Sequence, residues 1–160
     1  MKLNLGSGNR NIDDFINIDA VKQTDNTVVG DILNLEYKNN SIEEIHSEHV
    51  VEHFDKNELD KFFYECSRLL ITGGRLNIIA PSIVSAIDSY INGVNDIDWL
   101  DRFLFANHTH QYDYHKQSIY KEKLFILCKK YDFRVDSCEY EDRNFSTFEI
   151  KLKATKIWKT

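Results

Sequence analysis

The chain has 160 residues, 42% of them hydrophobic and 29% charged, with a formal net charge of −6. That length fits one domain with a real core and excludes two of ordinary size. The acidic balance argues against a general nucleic-acid surface, which needs clustered Lys and Arg, and no apolar run approaches membrane-spanning length. The N-terminus enters strand-like sequence at once, so no signal peptide is expected. Cys66, Cys128 and Cys138 are odd in number and lack metal-ligand spacing; they fit free thiols in a reducing cytoplasm.

Leu3 to Leu5 reads as the first strand and breaks into Gly6-Ser7-Gly8. Gly6 and Gly8 allow a left-handed turn and a close approach of ligand to main chain. Phe15 to Ile18 reads as the second strand and ends on Asp19. A carboxylate there can accept both hydroxyls of a ribose, as in dinucleotide folds. Thr27 to Gly30 reads as the third strand, followed by Asp31-Ile32. The links between these strands are short, whereas a parallel crossover usually takes a dozen residues or more. The early helices are therefore expected to be short or missing. One sheet face should then be under-covered, with the 82–116 segment or a second subunit as its cover.

Ile42 to Ser47 reads as the fourth strand, with Glu48 and His49 at its carboxyl end, where open α/β sheets place ligands. His49-Val50-Val51-Glu52-His53 matches a His-x-x-Glu-His zinc pattern. No metal is expected from it. Such a site needs the run inside a long helix and a distant third ligand, and here Asp55-x-x-Glu58 caps a helix that starts only afterwards. That helix, Asp55 to Leu70, carries one apolar stripe of Leu59, Phe62, Phe63, Cys66, Leu69 and Leu70. Gly73 is expected at its C-terminal turn.

Leu76 to Ala80 reads as the fifth strand, closed by Pro81. Ile83 to Gln117 fits no regular crossover. Its aromatics are expected mostly in the core, and His108, His110 and His115 in a polar loop, where His110 or His115 could serve as a general base. Those three histidines have no carboxylate or cysteine to complete a metal shell. Ser118 to Tyr131 reads as a second helix with an apolar stripe. Asp132 is expected to take a left-handed turn. Arg134 to Tyr140 and Phe148 to Trp158 read as an antiparallel hairpin through Asn144-Phe145-Ser146-Thr147. Lys151, Lys153, Lys156 and Lys159 form a basic edge, read as a solvated face.

Leu3-Asn4-Leu5-Gly6-Ser7-Gly8, Ser47-Glu48-His49-Val50-Val51-Glu52-His53 and Arg68-Leu69-Leu70-Ile71-Thr72-Gly73-Gly74-Arg75-Leu76 follow one another in an order and spacing that resembles the small class I S-adenosylmethionine (SAM)-dependent methyltransferases. The closest likeness is to compact predicted methyltransferases often found near surface-polysaccharide genes. The resemblance implies an α/β fold with a Rossmann-like class I methyltransferase sheet. The sheet would be mostly parallel with an antiparallel C-terminal hairpin, here in a minimal version with short or missing early helices. It implies one domain over 1–160, with 82–117 as a lid that shapes the acceptor pocket.

The resemblance further implies SAM as cofactor, held by Leu5, Gly6, Ser7, Gly8, Asp19, Asp31 and Ile32, with Glu48 and His49 beside the methionine part. Arg10 is expected to pair with the SAM carboxylate, in place of the missing first helix. His49, His110 and His115 are the candidate catalytic groups. The expected reaction is O-methylation of a small molecule or sugar. Nucleic acid is not an expected partner, since no Asn/Asp-Pro-Pro-aromatic motif is present, and a homodimer through the under-covered face is. Two residues depart from the family pattern. Ser7 stands for a frequent cysteine, and Asp13-Asp14 for the glycine that usually precedes Phe-Ile-Asn-Ile-Asp. The alternative is a non-catalytic module of the same fold that binds SAM or a partner protein. A nicotinamide-dependent oxidoreductase ranks below both, because Asn11 stands where Gly-x-Gly-x-x-Gly wants its third glycine.

Overall fold

Alternation of apolar and polar residues shapes the sheet. A strand points successive side chains to opposite faces, and Leu3, Leu5, Ile18, Ile45, Leu76, Ile78, Ile150 and Leu152 all fall on one face of the sheet and are buried. The computed structural model describes residues 1–108, 113–143 and 147–158. Its strands are β1 (Lys2–Leu5), β2 (Ile16–Asp19), β3 (Thr27–Val29), β4 (Ile42–Glu48), β5 (Leu70–Pro81), β6 (Phe133–Arg143) and β7 (Thr147–Lys156). They form one sheet in the order β3-β2-β1-β4-β5-β7-β6. β1 to β5 are parallel neighbours, and β7 pairs antiparallel with both β5 and β6. The strand order reverses between β1 and β4, which opens a crevice at their carboxyl ends.

The helices are α1 (Lys56–Leu69), α2 (Ile83–Ile91), α3 (Ile97–Phe105) and α4 (Lys121–Lys130). Asp55 caps α1 in a capping box with Glu58, as its sequence predicts. The stripe of Leu59, Phe62, Phe63, Cys66 and Leu69 is buried against the apolar sheet face, together with Leu124 and Cys128 of α4. Cys66 and Cys128 are buried free thiols, and Asp132 takes the left-handed turn (φ 61°).

Three sequence expectations change. Gly73 does not end α1. The helix stops at Leu69, and Gly73 (φ 83°) lies within the long strand β5. The 83–117 segment holds two helices, α2 and α3, each started by a side-chain cap: Ser82 Oγ accepts from Ser85 N, and Asp96 from Trp99 N. The aromatics of that segment are not core. Tyr90 (40%), Phe105 (52%) and Tyr114 (44%) are exposed, and Trp99 and Phe103 stack on each other, half-buried. Tyr112, like the 144–146 link of the hairpin, lies outside the described residues.

The second face of the sheet, expected to be under-covered, is polar across β1, β4 and β5. Lys2, Asn4, Glu44, His46, Glu48, Arg75 and Asn77 occupy it, and all but Asn4 pair within the set. Glu44 accepts from Arg75 at 2.7 Å and from Asn77 at 2.9 Å, with Lys2 at 3.9 Å. The β1–β2 link is pinned there by Asn4, which donates to Arg10 O (2.9 Å) and to Asn17 Oδ1 (2.8 Å). A two-residue hydrogen-bonded pair thus does the positioning that a crossover helix would otherwise do.

Candidate functional site

The carboxyl ends of β1 to β4 enclose a cleft of about 810 Å³, within the size range of small-molecule and cofactor sites. Gly6 and Gly8 form its floor. Both take positive φ (68° and 51°), and the amides of Gly6 and Ser7 donate to Ile18 O at 2.8 and 3.0 Å, folding the loop onto β2. A Cβ on Gly6 would come within 2.2 Å of Val50 Cγ2. The main chain is therefore bare at the cleft and backed directly by Val50.

Asp19 stands at the end of β2 and lines the cleft. Its Oδ2 accepts from Gly8 N (2.8 Å) and its Oδ1 from Val21 N (3.0 Å). One carboxylate therefore holds both the glycine loop and the β2–β3 link. A carboxylate has about four lone-pair sites, so each oxygen keeps capacity for a ligand hydroxyl. Asp31 and Ile32 line the cleft after β3. Asp31 Oδ1 accepts from Leu33 N at 2.9 Å, a local turn that fixes the carboxylate at the cleft edge. Asp14 takes φ 65°, the left-handed geometry that a glycine would adopt there at lower cost, and Asp tolerates it better than most residues.

Leu5 and Ser7 are buried beneath the cleft, not on its wall. Arg10 and Glu48 also fall outside the wall; their side chains bond to each other, with His46 Nε2 at 3.7 Å from Glu48. The arginine expected to meet a ligand carboxylate has a protein partner instead. Replacing Arg10 by alanine should change SAM affinity by less than about threefold, because an exposed ion pair outside the wall contributes little. Calorimetric titration of Arg10→Ala checks this, and a tenfold loss would return Arg10 to the site.

His49 follows β4 in the left-handed region (φ 55°) and does line the cleft. Its Nε2 lies 3.1 Å from Glu149 Oε1 and its Nδ1 3.4 Å from Glu52 Oε1. Burial opposes charging of the ring, but the carboxylates of Glu52 and then Glu149 outweigh it and raise the pKa above the ordinary histidine value. With both nitrogens against carboxylates, His49 is built as a donor more than as a base. His115 is half-buried behind the cleft wall, its Nδ1 2.9 Å from Phe103 O. Burial lowers its pKa, against the opposing charge of Glu52. His110 lies outside the described residues.

Two cleft residues that sequence reasoning left out are His53, weighed only as part of a zinc pattern, and Lys116. The amides of Lys116 and Gln117 donate to Glu52 O (2.9 and 3.4 Å), docking the end of the 83–117 segment on the 3-10 turn Val51–His53. Tyr114 and Lys116 thereby reach the cleft wall beside His53 and Phe54. No signal in the sequence pairs these distant segments.

Residues 13–78 match the family model described as a methyltransferase domain. No curated protein matches the chain. Among solved structures it is similar to a SAM-dependent methyltransferase from Methanosarcina mazei, at 13% identity and a TM-score of 0.73, covering 99% of this chain and 92% of that one. A SAM-dependent methyltransferase from Archaeoglobus fulgidus is similar at 16% identity and a TM-score of 0.65, covering 97% of this chain and 85% of that one. The 1,6-didemethyltoxoflavin-N1-methyltransferase of Burkholderia thailandensis, crystallised with 1,6-didemethyltoxoflavin and S-adenosylhomocysteine, is similar at 11% identity and a TM-score of 0.66, covering 98% of this chain and 71% of that one. At such identities the likeness is one of fold.

Proposed function

We propose that this chain, a small class I methyltransferase in fold and in its residues 13–78, transfers a methyl group from SAM to a hydroxyl of a small molecule or sugar. The observation that carries the cofactor assignment is the cleft itself: about 810 Å³ at the strand-order reversal, floored by Gly6 and Gly8 and edged by Asp19 and Asp31. SAM bound there supplies an electrophilic methyl on a sulfonium whose leaving group is neutral. Little acid–base machinery is then required, and the protein's work is alignment and exclusion of water.

Each residue has a definite task in that reading. Asp19 accepts the ribose hydroxyls, and Asp31 with the amide of Ile32 meets the adenine edge. Gly6 and Gly8 let the ligand lie against the main chain. His49 donates toward the donor's methionine end while Glu52 and Glu149 hold its ring. The acceptor enters at the end lined by His53, Tyr114 and Lys116, with the 82–117 segment shaping that end; the hydroxyl gives its proton to water there as its oxygen takes the methyl group and S-adenosylhomocysteine leaves. The buried thiols Cys66 and Cys128 fit a cytoplasmic setting, and among the described residues no helix is long and apolar enough to cross a membrane.

Titration calorimetry with SAM and S-adenosylhomocysteine, with NADH as control, tests the reading. Micromolar binding of both adenosyl ligands and none of NADH is the expected result. Absence of binding by either would leave a non-catalytic module of the same fold as the better account.

A further inference from the structure

We infer that Glu52, His53 and His115 form a binding site for a divalent first-row transition cation, with zinc the best match to the donor set. Each residue offers one ligand atom, and the three atoms lie within 4.8 Å of one another. The His49–His53 run lacks the long helix and the distant third ligand of a zinc enzyme in sequence. The fold supplies that third ligand from the far end of the 83–117 segment.

The carboxylate is the first support. Glu52 is 2% exposed, its Oε1 has His49 Nδ1 at 3.4 Å, and its Oε2 accepts no hydrogen bond from a described residue. A buried carboxylate in that condition is costly unless a charge meets it. His49 Nδ1 approaches to 3.4 Å, but Glu149 shares that ring from its other nitrogen at 3.1 Å. His53 Nε2 stands 3.9 Å from Glu52 Oε1.

The tautomers are the second support. His53 Nδ1 lies 3.0 Å from Tyr114 O, and His115 Nδ1 2.9 Å from Phe103 O. A carbonyl only accepts, so each Nδ1 carries the proton and each Nε2 keeps its lone pair. A ring N–H given to a main-chain carbonyl is the usual outer partner of a metal-binding histidine. The two rings meet edge-on at 5.1 Å between centroids, and the backbone bonds from Lys116 and Gln117 to Glu52 O hold the segment in place.

Two imidazoles and one carboxylate are the three-ligand set of zinc sites that keep a fourth position open. Bond lengths of about 2.0–2.2 Å call for the three side chains to rotate inward. The neighbouring set of Glu48, His49 and Glu149 also falls within 4.8 Å, but Arg10 is bonded to Glu48 and only one imidazole is present. His53 lines the large cleft, and Glu52 and His115 a small pocket behind it. The cation therefore sits at the junction, with its open position toward the acceptor end. That last point rests on the methyl-transfer reading, and it favours an acceptor whose hydroxyl ligates the cation and ionises there, its proton passing to solvent water in the cleft.

The test is zinc titration of protein stripped with a chelator, with no SAM present, and cobalt substitution read by visible absorption. One equivalent binding at micromolar or tighter is expected, with cobalt bands of four or five coordination. Glu52→Gln and His115→Ala should each weaken zinc at least tenfold, while His46→Ala should not. Asp19→Asn should lose SAM and keep zinc, and His115→Ala should weaken zinc at least tenfold and keep SAM within threefold, so the two readings fail separately. If Glu52→Gln does not fold by circular dichroism, His53→Ala with His115→Ala decides alone. Zinc binding that survives the loss of both histidines, or that is lost only in His49→Gln, overturns the assignment, as does absence of binding.

Discussion

Alanine at Gly6 should remove measurable SAM binding and cost the fold roughly 2–5 kcal/mol. Two effects add. A side chain held at φ 68° carries about 1–2 kcal/mol of left-handed strain. The new methyl would also stand 2.2 Å from Val50 Cγ2, and overpacking of this kind typically costs about 1–3 kcal/mol. Set against a usual domain stability of about 5–15 kcal/mol, the sum is large for one methyl group. Urea unfolding measures it. The double variant Gly6→Ala/Val50→Ala should recover the steric part and leave about the backbone part, since the clash is with that one side chain. Gly8→Ala is the internal comparison. Nothing lies within 4 Å of its Cβ, so only the φ cost of about 1–2 kcal/mol applies. A Gly6→Ala protein as stable as Gly8→Ala would refute the close packing of loop on Val50.

Asp19→Ala should raise the dissociation constant for SAM at least about 100-fold, or about 2.7 kcal/mol. Hydrogen bonds to a charged group contribute about 1.5–3 kcal/mol each, and this carboxylate is proposed to accept two from the ribose. It also organises the apo site. Gly8 N at 2.8 Å and Val21 N at 3.0 Å both end on it, so its loss frees the glycine loop and the β2–β3 link together. Calorimetry should therefore show weaker binding with a larger entropic penalty, and hydrogen exchange should quicken at Gly8 and Val21. A variant that binds SAM as tightly as the parent would remove Asp19 from the site.

The parts of the fold legible in the sequence are those written locally. The Asp55–Glu58 box and the stripe from Leu59 to Leu69 specify α1 because cap, period and core face agree over a few residues. The same holds for Gly6 and Gly8, whose spacing after an apolar strand points to a bare loop. Less legible were α2 and α3. Their β-branched and aromatic residues obscure helical propensity, and their starts rest on single caps at Ser82 and Asp96. Gly73-Gly74 misled because a glycine after a helix reads as its stop, whereas the chain here runs directly into β5. The Arg10–Glu48 pair and the meeting of His115 with Glu52 are long-range events. Nothing in either local stretch encodes them; the first follows from the pairing of β1 with β4, the second from how the 83–117 segment docks on the 3-10 turn. The alternating Leu-Asn-Leu, Ile-Asn-Ile and Leu-Asn-Ile runs were in plain view. They point to a sheet with one polar face, which the short links between the early strands leave without crossover helices.

That polar face divides the strands into two evolutionary regimes. Inward positions such as Leu3, Ile45 and Leu76 are fully buried, and a saturation scan should find them intolerant. Their outward neighbours, among them Lys2, Glu44 and Arg75, answer mainly to one another. Paired charge exchanges there, such as swapping the signs of Glu44 and Arg75, leave the core untouched. Apart from Asn4, which holds the β1–β2 link, the outward positions of β1, β4 and β5 can therefore diverge without losing the cleft at the strand ends, and a surface so free to vary can acquire new contacts while the ligand site stays fixed.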